Sequence, residues 1–69
     1  MDLKILRTIK NVNQYDLALR TGIHQPKISL IERGYVKPSE HDKTALADAL
    51  GVKVEEIEWG KTKEVITDA

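Results

Sequence analysis

The chain contains no cysteine and no phenylalanine, only two prolines and four glycines, and three aromatic side chains (Tyr15, Tyr35, Trp59) among 69 residues. Without cysteine there are no disulfides and no thiolate zinc sites, and a reducing compartment is consistent with the composition. His24 and His41 are far apart and neither sits in a carboxylate pattern of metal-ligand spacing, so no metal and no cofactor is expected. No apolar run approaches the ~18 residues of a membrane span, and no charged–apolar–small leader is present. A cytoplasmic location with no membrane partner is the expectation. There is no nucleophile–base arrangement and no glycine-rich phosphate loop, and a core this small leaves little room for a deep pocket, so no enzyme is expected. Net charge is also missing: eleven basic side chains balance eleven acidic ones. Proteins that hold nucleic acid usually carry a basic excess, so the overall balance is weak evidence against that partner.

The balance conceals a segregation. Residues 1–39 carry seven basic groups (Lys4, Arg7, Lys10, Arg20, Lys27, Arg33, Lys37) against three acidic ones, a net of +4. Residues 40–69 carry four against eight, a net of −4. Such a dipole can turn the front half toward phosphates, although an ordinary solvated surface can be divided in the same way.

Apolar periodicity and punctuation predict an all-α domain of five short helices over 1–60, followed by a tail, 61–69. The first helix spans about Leu3–Lys10, capped by Asp2, with Leu3, Leu6 and Ile9 as its stripe and Asn11 as its stop. The second follows a cap at Asn13, carries Asp16 in its first turn and ends at Gly22. The third covers Gln25–Arg33 and ends at Gly34; Pro26 is tolerable there because a first-turn N–H has no intrahelical acceptor to lose. The fourth runs from Glu40 to Leu50, with Ser39 as cap, Asp42 three residues on, a polar first turn facing solvent, and Gly51 as stop. The fifth covers about Val54–Trp59, and Val65–Ile66 in the tail form a strand or nothing. The expected core is Leu3, Leu6, Ile9, Val12, Leu17, Ala18, Ile23, Ile28, Ile31, Leu46, Ala47, Leu50, Val52 and Ile57.

Two helices joined by the short turn Thr21–Gly22–Ile23 have the dimensions of a helix-turn-helix. When such a unit binds DNA, the outer face of its second helix enters the major groove, N-terminal residues first. The residues on that face suit the task. Gln25 can pair with the N6 and N7 edge of adenine, Pro26 and Leu30 offer apolar surface to a thymine methyl group, and Ser29 can donate or accept. Lys27 and Arg33 flank them within reach of phosphates, and the start of the second helix, Asn13 and Gln14, can present backbone N–H groups to another. Spacing alone does not decide the matter, because the same geometry occurs in domains that never meet DNA.

The segments "NQYDLALRTGIHQPKISLIERG", "KPS" and "ALADALGV" resemble the Cro and phage-repressor family of helix-turn-helix domains, also called the Xre family, over about Leu3 to Gly60. The specificity lies in the combination of Gln14, Leu17–Ala18, Gly22, Ile28, Ile31–Gly34, Pro38–Ser39 and Ala47–Val52. The resemblance implies a five-helix, repressor-like (lambda-repressor-like) domain and a transcriptional regulator, a repressor by preference. Such a regulator binds double-stranded DNA at a near-palindromic operator, usually as a homodimer whose contacts would come from about Val52–Trp59. It implies that Gln14 meets a phosphate and braces Gln25, that Gln25, Pro26, Ser29 and Leu30 read bases, and that Lys27, Arg33 and Lys37 touch the backbone. It also implies a buried ion pair between Arg7 and Glu32, tying the first helix to the third.

Three positions depart from the family pattern. His24 stands where a Ser or Thr cap is usual, Lys53 replaces a small polar cap, and Pro26 removes a side-chain hydrogen bond at a base-reading position. The modest charge predicts modest non-specific affinity with a strong salt dependence. A protein-interaction module, such as an antitoxin or anti-repressor component, is the alternative. Its features would be the acidic Glu55, Glu56 and Glu58 and the apolar Val65–Ile66. Trp59 is either part of an interface or a lid on the core, with the lid preferred.

Overall fold

The computed structural model describes residues 1–59; the expected tail, 61–69, with Val65–Ile66, lies outside the described residues. Among the described residues four α-helices follow one another, α1 (Leu3–Ile9), α2 (Gln14–Thr21), α3 (Gln25–Glu32) and α4 (Glu40–Leu50), and a single 3-10 turn, Val54–Glu56, comes after them. The described residues form an all-helical fold, with four α-helices rather than five. What was expected as a fifth helix stops after three residues, because Ile57 is extended (φ −98°, ψ 128°). The next residue leaves the helical path to pair with the start of the chain: the Glu58 N–H donates to the Met1 carbonyl at 2.8 Å.

Local chemistry sets the helix ends. The side chains of Asp2, Asn13 and Ser39 each accept the backbone N–H three residues on, at 2.8, 2.7 and 3.0 Å, so three of the four N-termini are capped. At α4 the Asp42 carboxylate also reaches back to the Ser39 N–H, at 3.5 Å, forming a capping box. Gly22 ends α2 in the left-handed region (φ 77°), which costs a residue with a Cβ about 1–2 kcal/mol. Asn11 is the one described non-glycine residue with positive φ (60°), consistent with the stop read from its short polar side chain.

α2 packs on both α3 and α4, and α4 packs on the 3-10 turn. The centre of the core is one fully enclosed side chain from each of three helices, Leu17, Ile28 and Leu46. Around them close Leu3, Leu6, Val12, Ile23, Ile31, Ala47, Leu50 and Ile57. Ala18 and Val52 lie at its margin, partly buried. Ile9 does not belong to the core: it is 60% exposed. An i, i+3 stripe slips about 60° around a helix at each step, since three residues turn about 300°, so by Ile9 the stripe has rotated off the inner face. Trp59 packs against the core and donates its indole N–H to the Val54 carbonyl at 3.3 Å, which is the lid arrangement. No helix among the described residues is long and apolar enough to cross a membrane.

Candidate nucleic-acid interface

α2 and α3 are joined by Gly22, Ile23 and His24, with Ile23 buried beneath the turn. The Thr21 hydroxyl donates to the Leu17 carbonyl at 2.8 Å and accepts the Ile23 N–H at 3.1 Å, so the last residue of α2 also fixes the path into α3. His24 is extended and makes no side-chain cap, and Pro26 occupies the first turn. Among the described α-helices, α3 is thus the one whose first N–H groups are left without a side-chain cap.

From behind, α3 is held firmly. Ile28 is fully enclosed and Ile31 is buried. At the C-terminal end the Glu32 carboxylate, its side chain 3% exposed, receives three hydrogen bonds. Two come from Arg7, Nε to Oε2 at 2.7 Å and Nη2 to Oε1 at 3.2 Å, and one from the Gln14 amide to Oε1 at 2.9 Å. Arg7 spends a further N–H on the Val12 carbonyl at 3.1 Å. The pair implied between Arg7 and Glu32 is therefore present, and Gln14 is drawn into it: its amide braces Glu32 and not Gln25.

At about 100° per residue, Gln25, Ser29, Arg33, Pro26 and Leu30 fall within an arc of about 140° on the side opposite the buried residues. Gln25, Pro26 and Arg33 are exposed, Ser29 and Leu30 half-buried. None of the four expected base-reading side chains takes part in a hydrogen bond among the described residues. The Arg33 guanidinium lies 5.8 Å from the centre of the Tyr35 ring, which orients it beside this face, and Lys37 is exposed on the following loop. Asn13 is exposed at the start of α2, where its side-chain oxygen caps the helix.

Lys27 flanks this face and has an ionic partner within the domain. It lies outside the arc, and its Nζ is 3.0 Å from Asp42 Oδ2. Asp42 is correspondingly not solvent-facing, as the polar first turn of α4 suggested, but buried. The Lys27 hydrogen bond, helped by the Ser39 N–H, holds its carboxyl below the usual aspartate range against the opposing effect of burial. Sequence reasoning also passed over the outer face of α2. Tyr15 and Leu19, four residues apart, are 60% and 68% exposed and line a shallow groove that ends at His24 and Gln25. An exposed tyrosine and leucine separated by one turn carry no distinctive sequence signal.

Comparison with known proteins agrees with this geometry. A family described as Helix-turn-helix matches residues 3–57, from the first residue of α1 to the end of the described core. An uncharacterized HTH-type transcriptional regulator of Methanocaldococcus jannaschii is 38% identical over 55 residues, covering 80% of this chain and 83% of that protein. No solved structure matches. With most of its length inside the family match and its α2–turn–α3 unit built as described, the chain belongs to the helix-turn-helix family.

Proposed function

We propose that the protein is a sequence-specific DNA-binding transcriptional regulator that reads the major groove with α3. The observation that carries this reading is the two-sidedness of that helix. Ile28, Ile31 and Glu32 fix it to the domain, while the side chains of Gln25, Pro26, Ser29 and Leu30 lie on the opposite side and make no hydrogen bond among the described residues. Gln25 and Ser29 supply hydrogen bonds to base edges, and Pro26 and Leu30 supply apolar contact to thymine methyl groups. Arg33 and Lys37, with the N-terminus of α2 at Asn13 and Gln14, meet the flanking phosphates. The printed description of the Methanocaldococcus protein as a transcriptional regulator supports the same reading.

Repression by a homodimer on a near-palindromic operator, with α3 helices about 34 Å apart to match half-sites one turn apart, is the form we propose. Selection of bound duplexes from a random pool, followed by mobility shifts at low and moderate salt, tests the reading. An enriched sequence with two related half-sites is the expected result. Binding with no sequence preferred over random duplex at either salt concentration would refute it.

A further inference from the structure

α3 begins without a negative charge in its cap or its first turn. The positive end of a helix dipole favours anions in the first turn and disfavours cations. α2 and α4 carry acidic residues there, and α1, with Lys4 in its first turn, has the acidic cap Asp2; α3 has neither and places Lys27 in its first turn. The cation is tolerated because a carboxylate from another helix meets it: Asp42 Oδ2 lies 3.0 Å from Lys27 Nζ. The two partners are unequal. The Asp42 side chain is 8% exposed and is fixed by the capping box of α4, whereas Lys27 is 47% exposed on a flexible stem. Asp42 is therefore the fixed member and Lys27 the one that is drawn aside. The pair holds the Lys27 ammonium at the N-terminal end of α4.

Resting on the DNA-binding reading above, we infer that Asp42 is a specificity-determining positioning residue: it withholds Lys27 from DNA phosphates. A cation in the first turn of a reading helix would bind any sequence, since phosphate contacts carry no sequence information. Tying that cation to the N-terminus of α4 removes a non-specific contact from the base-reading face. It leaves discrimination to Gln25, Pro26, Ser29 and Leu30. It also fixes the first turn of α3, which has no side-chain cap of its own.

The test is a double-mutant cycle read as salt dependence on a random duplex and on the duplex selected by the wild type. Each phosphate contact adds about 0.9 to the slope of log affinity against log salt, an extra loss of about 3-fold between 50 and 200 mM. Lys27→Met is expected to leave the slope at the wild-type value. Asp42→Asn, whose amide oxygen can still accept the Ser39 N–H, is expected to steepen it by about 0.9 on both duplexes and to lower the ratio of selected to random affinity. In the Asp42→Asn/Lys27→Met protein the slope should return to wild type. That return separates release of Lys27 from the general gain of deleting a negative charge, which persists in both backgrounds.

A shallower slope for Lys27→Met would show that Lys27 already rests on a phosphate and overturns the inference. So does a steepening by Asp42→Asn that survives without Lys27. Circular dichroism checks that each variant is folded; if Asp42→Asn is not, Lys27→Met decides alone, an unchanged slope supporting the inference and a shallower one overturning it. Failure of the wild type to select any duplex removes the DNA-binding reading and this inference together. A selected duplex with no coupling in the cycle removes the inference only.

Discussion

Replacing Glu32 by alanine removes the carboxylate on which α1, α2 and α3 converge. Three hydrogen bonds go with it, two from Arg7 and one from Gln14. The Arg7 side chain is 12% exposed, so its guanidinium is left charged in a largely enclosed position. Removing one member of a buried pair typically costs 3–5 kcal/mol. Here the lower end, about 3 kcal/mol, is the better figure, because Arg7 keeps its bond to the Val12 carbonyl and some access to water. The half-buried Gln14 can turn outward and adds little.

A domain of this size has a total stability on the order of 3–10 kcal/mol, so the loss is a large fraction of the whole. At about 4–8 °C per kcal/mol, the thermal midpoint should fall by about 12–24 °C. Thermal unfolding followed by far-ultraviolet circular dichroism measures this directly. Glu32→Gln, which keeps an acceptor but no charge, should fall between alanine and wild type. Arg7→Met/Glu32→Leu should recover most of the loss, since a pair replaced by apolar groups leaves no charge stranded. Equal midpoints for Glu32→Ala and wild type, or a double variant as unstable as Glu32→Ala, would refute the reasoning.

Leu46→Ala, at a fully enclosed site, should cost about 2–5 kcal/mol in denaturant unfolding, whereas Ile9→Ala should stay within about 0.5 kcal/mol of wild type; similar losses would return Ile9 to the core. Gly22→Ala meets no atom within 4 Å, so its expected cost of about 1 kcal/mol is conformational alone; an unchanged midpoint would contradict the left-handed assignment. Asp42 has its carboxyl held below the ordinary aspartate value, chiefly by Lys27, so its contribution to stability is present above about 3.9 and is lost as pH falls through the lower folded value. The stability difference between wild type and Asp42→Asn should therefore shrink in that acid range, and a difference constant across it would exclude the assigned interaction.

What could be read in the chain beforehand was what neighbours in sequence decide. Caps at Asp2, Asn13 and Ser39 act over three residues, and the limits of α4 follow from Ser39 and Gly51 alone. The outward set on α3 follows from helical periodicity. What stayed hidden was decided by residues far apart. The fifth helix is cut short by a backbone pairing between Glu58 and Met1. The buried position of Asp42 depends on Lys27, fifteen positions earlier and on another helix. The Arg7–Glu32 pair spans twenty-five positions and was visible only through the family resemblance, and nothing local shows that Gln14 joins it.

The separation of the two sides of α3 has a consequence for how such a domain can change. The side chains that hold the helix and those that would read a sequence share no hydrogen bond and no position. The exposed Gln25 and Pro26, and the half-buried Ser29 and Leu30 where size is kept, can therefore be exchanged with little effect on the melting behaviour of the fold. One scaffold can drift through many target preferences while its architecture stays still, and for a protein engineer those four codons are the natural ones to randomise.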